Sequence, residues 1–114
     1  AYPLNGDRLQ ARRFLERAGL AALIHRKPAQ VSGGEARRAA LARALAPRQD
    51  ILLLDEPLAF LPPQLQEQMS AWIAEELART HAACLWVAHQ DDEARQIAHR
   101  TLRLANATLT PAVP

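Results

Sequence analysis

The chain has 114 residues, a mass of 12.6 kDa and a net charge of +2, with 49% hydrophobic and 23% charged residues. That is room for one modest core and excludes a disordered polymer. A single cysteine excludes a disulfide framework and suits a reducing compartment, while no apolar run reaches the roughly 18 residues of a membrane span or reads as a signal peptide.

Helix-period spacing comes first. Asp7 is placed to cap a helix whose apolar face is Ala11, Phe14, Leu15 and Ala18, stopped at Gly19. A turn over Leu20–Ile24 and a loop around Lys27-Pro28 follow. Residues 33–46 (GGEARRAALARALA) predict an Ala-rich helix closed by Pro47. The continuous apolar run 51–54 (ILLL), between Asp50 and Asp55, predicts a strand buried on both faces of a parallel sheet.

Pro62-Pro63 opens a long helix with Leu65, Met69, Trp72, Ile73 and Leu77 on one face. Residues 83–88 form a second apolar strand ending at His89. Residues 91–98 predict a short helix and 101–104 a third strand, which could pair with 107–110. With 24 alanines and 18 leucines against 4% aromatics, this alternation predicts α/β class, a mostly parallel sheet flanked by helices. In such sheets ligands bind beyond the carboxyl ends of the strands. Asp55, Glu56 and His89 fall at two of those ends.

Charge is uneven along the chain. Residues 1–50 hold ten Lys/Arg against four Asp/Glu, and residues 51–114 four against eight. A solvated helical surface and an anion-facing first half both account for that.

Three motifs carry chemistry, and each has two readings. In Val31-Ser32-Gly33-Gly34-Glu35, Ser32 and Glu35 have the spacing of a capping box. The adjacent glycines, which cost a helix about 1 kcal/mol each relative to alanine, are left unexplained by capping. They suit close approach of an anion to the helix N-terminus. Asp55-Glu56-Pro57 is either a turn with two exposed carboxylates or a place for Mg²⁺ and an activated water. His89 is a surface histidine or a ligand sensor. His25, His81 and His99 share no spacing, and Cys84 reads as packing.

Taken together, in this order and spacing, VSGGEARRAALARAL, ILLLDEP and His89 resemble the signature motif, Walker B and switch histidine of the ATP-binding-cassette (ABC) ATPases. Glu93-Ala94 and Ala98-His99-Arg100 are similar to the import-type pattern. The resemblance implies the C-terminal part of an ABC-type ATPase domain. Residues 1–46 would be the end of the helical subdomain with the signature helix, 47–104 the Walker B and switch-His part of the core, and 105–114 a C-terminal tail.

It further implies ATP and Mg²⁺ as cofactors. Ser32, Gly33, Gly34 and Glu35 would meet the nucleotide, Asp55 the metal, and Glu56 and His89 would be catalytic. The expected partners are a second ATP-binding subunit, which sandwiches the nucleotide, and transmembrane permease subunits. No nucleic acid is expected. The location is cytoplasmic, at the inner face of the membrane.

Several features depart from the family pattern. Pro62 stands where the family's inter-subunit loop ends in Asp, and Glu35 stands where Gln is commoner. The sequence contains no G-x-x-x-x-G-K-[ST] phosphate loop, and Lys27 is its only lysine. The expectation is therefore a chain inactive alone, coupling ATP hydrolysis to solute transport only as part of a complete subunit. The alternatives are an ABC-type ATPase of DNA repair or chromosome organisation, and a truncated non-catalytic assembly module. Tyr2-Pro3 and Leu85-Trp86-Val87 look similar to a metal- or iron-export subgroup.

Overall fold

The computed structural model describes residues 5–23, 32–89 and 97–112. The elements run α1 (Asn5–Arg17), a 3₁₀ turn (Ala21–Leu23), α2 (Gly33–Leu45), β1 (Ile51–Asp55), α3 (Pro63–Thr80), β2 (Ala83–Val87), β3 (Leu102–Ala105) and β4 (Thr108–Pro111). The loop at Lys27-Pro28 and most of the helix expected over 91–98 lie outside the described residues.

α1 starts at Asn5, so Asp7 is its third residue and not its cap. Of its expected apolar face, Phe14 and Ala18 are buried and Leu15 is half-buried, while Ala11 is exposed. Gly19 ends it in a left-handed conformation, φ 77°. A side chain there would be strained by that angle, and its Cβ, 2.8 Å from a terminal guanidinium nitrogen of Arg38, would oblige that flexible side chain to shift. That guanidinium donates to the carbonyl of Ala18 at 3.0 Å, answering an orphan acceptor at the end of α1.

One core gathers the helices on a single side of the sheet. Leu41, Ala42 and Leu45 of α2 meet Leu52 and Leu54 of β1 and Met69, Trp72 and Ile73 of α3. Phe14 reaches the same core from α1, its ring 6.0 Å from that of Trp72 and tilted by 48°. α3 begins with Pro63 in its first turn, where the missing N–H costs nothing. It ends at His81 in the left-handed region, φ 58°.

β1 and β2 are parallel neighbours, Ile51 opposite Ala83 through Asp55 opposite Val87. The expectation of burial on both faces is corrected here. β1 alternates, with Leu52 and Leu54 buried while Ile51 and Leu53 are 64% and 69% exposed. Leu85 and Val87 extend the same open face, because strand side chains alternate and the register is in phase. The four residues of an ordinary buried strand are present; the layer that would cover their outer half is not among the described residues.

β3 and β4 form a separate antiparallel hairpin. It turns through Asn106 and Ala107, both at positive φ (50° and 58°), the geometry of a two-residue hairpin turn. The strand expected at 101–104 therefore pairs with its successor and does not extend the parallel sheet. Among the described residues, no helix is long and apolar enough to cross a membrane.

Candidate functional site

Two chain segments leave the sheet at the same edge. Asp55 is the last residue of β1 and is exposed. By alternation it shares the open face with Ile51 and Leu53, so its carboxylate stands at the carboxyl end of the bare apolar surface. Glu56 follows at φ 48°, a region an L side chain enters at a cost of about 1 kcal/mol. Its amide is nevertheless fixed, donating to the carbonyl of Val87 at 2.8 Å and continuing the ladder past the strand. That combination turns the chain sharply while keeping the half-buried Glu56 against the strand end. His89, exposed, lies two residues beyond Val87. The three expected residues thus share the carboxyl edge of one parallel strand pair.

Ser32 through Glu35 form the other group. Ser32 adopts extended geometry (φ −72°, ψ 167°) ahead of α2. The amide of Glu35 donates to Ser32 Oγ at 3.1 Å, and the amide of Ser32 donates to Glu35 Oε1 at 2.8 Å. The capping box is therefore formed. It does not account for the glycines: a Cβ built on Gly33 or Gly34 meets no atom within 4 Å. Among the described residues, no packing contact requires glycine at either position. Their backbone stays open at the positive end of a 13-residue helix.

The two groups are connected through one side-chain contact. Arg37, five residues and about 7.5 Å of helix rise past Ser32, places its guanidinium carbon 5.0 Å from the ring centre of Phe60. Phe60 belongs to the turn that follows Glu56. It is 88% exposed and sits at φ 64°. Neither Arg37 nor Phe60 carried a signal in the sequence, nor did Gln66, whose side-chain amide donates to the carbonyls of Leu61 at 3.0 Å and Leu58 at 3.4 Å.

Among the described residues, no three His, Cys, Asp or Glu side chains gather as a metal-binding cluster. Asp55 offers one exposed carboxylate at the strand end. That donor set fits Mg²⁺, which is held by one or two carboxylates and otherwise by water and phosphate oxygens. Cys84 is half-buried in β2, and burial pushes its thiol above the ordinary 9.0. That direction favours the packed, protonated thiol over the thiolate. A shallow cleft lined by Leu45, Gln49, Leu52, Leu77 and Ala82 lies at the amino end of the strands, away from Asp55 and His89.

Comparison with known proteins gives the family. The ABC transporter family profile matches residues 5–59, from α1 through the turn after Glu56. The thiamine import ATP-binding protein ThiQ of Cereibacter sphaeroides is 50% identical over 101 residues, which is 89% of this chain and 44% of that protein. ThiQ of Ruegeria sp. is 43% identical over 95% of this chain and 47% of the relative. Among solved structures, a metal-chelate type ABC transporter in an inward-facing conformation is 28% identical, with a TM-score of 0.74 over 96% of this chain and 44% of that one. The chain therefore spans less than half the length of these relatives. With α2, β1, α3 and β2 in this arrangement, and the relatives agreeing across nearly its whole length, the chain belongs to the family of ABC transporter ATP-binding domains.

Proposed function

We propose that these residues are part of the ATP-binding subunit of an ABC importer, and that they supply two separate portions of its nucleotide sites. The observation that carries this reading is the shared edge: Asp55, Glu56 and His89 leave two parallel strands side by side, with the Glu56 amide bonded to Val87. Within the chain, residues 1–46 are assigned to the end of the helical subdomain and the signature helix. Residues 47–104 are assigned to the Walker B and switch-histidine part of the core, and 105–114 to the C-terminal segment.

Each residue has a definite task. Asp55 would hold Mg²⁺, which when bound neutralises charge on the phosphates. Glu56 orients a water molecule and accepts its proton, a role worth about 10²–10⁴ in rate. His89 directs an imidazole N–H toward the terminal phosphate. Ser32, Gly33 and Gly34 offer hydroxyl and backbone N–H groups to the terminal phosphate of a nucleotide held by a second ATP-binding subunit, with Glu35 fixing the cap. Since the sequence contains no phosphate loop, the 114 residues alone do not hydrolyse ATP.

The relatives named for thiamine import favour uptake of thiamine over the metal or iron export suggested by Tyr2-Pro3 and Leu85-Trp86-Val87. The subunit would sit at the cytoplasmic face of the membrane, bound to its permease partners. Reconstitution of the complete transporter in vesicles tests this. Thiamine with its binding component should stimulate ATP hydrolysis and accumulate inside. Stimulation by iron instead, or by no solute at all, would overturn the importer reading.

A further inference from the structure

We propose that Gln66 is the positioning residue of the turn that carries Glu56, an inference that rests on the assignment of Glu56 as the water-activating carboxylate. The turn from Glu56 to Leu61 is strained at both ends, with Glu56 at φ 48° and Phe60 at φ 64°. Strain of this kind persists only where surrounding contacts over-determine the backbone. Inside the turn the backbone bonds are long: Ala59 to Glu56 at 3.2 Å and Leu61 to Leu58 at 3.3 Å. Leu58 and Leu61 are buried, so water cannot readily serve their carbonyls.

The next two residues are Pro62 and Pro63, neither of which has an amide N–H to offer. α3 begins with no side-chain cap at Pro62. The donor for Leu61 O comes from Gln66, one turn into α3, whose amide nitrogen lies 3.0 Å from it and also reaches Leu58 O at 3.4 Å, reinforcing the long bond from the Leu61 amide. Two carbonyl partners fix which end of the amide faces the turn, because the oxygen end would meet only acceptors. On the opposite side Arg37 covers Phe60. The turn is therefore held between α3 and α2. Its orientation decides where the Glu56 carboxylate stands relative to a water, while no atom of Gln66 need touch the nucleotide.

The test uses the complete subunit with its permease and compares Gln66→Leu, Gln66→Glu and Gln66→Lys with Glu56→Gln, measuring kcat, KM for ATP and thermal midpoint. Gln66→Leu and Gln66→Glu remove the donor and should lower kcat about ten- to hundredfold, since a misplacement of about 1 Å can cost that much. KM should stay within about twofold, the pattern of an interaction felt in the transition state. Gln66→Lys retains a donor of similar reach and should recover most of kcat, including where Gln66→Leu folds poorly. A Gln66→Leu enzyme at wild-type kcat beside an inactive Glu56→Gln would overturn the positioning role and leave Glu56 intact. Equal losses in Leu and Lys variants, tracking thermal midpoint, would also overturn it. Full turnover in Glu56→Gln would instead remove the assignment beneath it.

Discussion

Glu56, Phe60, His81, Asn106 and Ala107 all have positive φ, but they are held there by different means. Glu56 is pinned by its bond to Val87 and by the Gln66 contacts that follow. His81 closes α3 through its amide bond to Leu77. Ala107 has no such reason. It occupies the second central position of a hairpin turn at φ 58°, where glycine is at ease and alanine is not. Replacing Ala107 by glycine should therefore stabilise the hairpin by about 1 kcal/mol. Slower hydrogen exchange at the amides of β3 and β4 would register that gain, whereas unchanged or faster exchange would count against it. None of these strained positions stood out in the sequence pattern. Left-handed backbone at Glu56 and Phe60 is imposed by tertiary bonds from β2 and α3, which no local pattern encodes.

At the scale of elements, α2 was the most legible. Its cap, its length and its end at Ala46 before Pro47 follow from local chemistry, and the structure forms both bonds of the capping box. β1 and β2 were legible as parallel strands from their apolar runs. The strand at 101–104 pairs with the segment that follows it, as its sequence allowed, because a two-residue loop is cheap to close. One reading failed for an identifiable reason: Asp7 lost the cap of α1 because the helix continues back to Asn5. The glycines of α2 separate folding from function. Gly34→Ala meets no steric obstacle and should raise helix stability by up to about 1 kcal/mol. If the open backbone serves a phosphate, the same substitution should lower ATP turnover in the complete transporter. Stability and turnover rising together would remove the reason given for the glycines.

For the molecule as a whole, the decisive feature is the uncovered face of the β1–β2 sheet. Ile51, Leu53, Leu85 and Val87, between 50% and 69% exposed, form one apolar surface, with Asp55 at its edge. The radius of gyration is 15.3 Å, against about 13 Å for a compact domain of this length. Both agree with a chain that spans less than half of its relatives. The apolar run at 51–54 read as doubly buried because a sequence records the environment of the strand in the whole domain, not in these residues alone. Alone, the 114-residue chain should associate through this face. Sedimentation should show concentration-dependent assembly, and Leu53→Lys with Leu85→Lys should shift it toward monomer without loss of helix, because both side chains point away from the core. Association unaffected by the two lysines would place the contact elsewhere.

Glu56, fixed at the carboxyl edge of the sheet beside Asp55 and His89, is the residue we propose to activate the water that attacks ATP. The most direct test of that role is Glu56→Gln in the complete transporter, reading ATP binding and single-turnover hydrolysis on the same preparation. ATP should bind with near-normal affinity, and hydrolysis should fall by at least about 100-fold. Hydrolysis within about threefold of wild type would contradict that role.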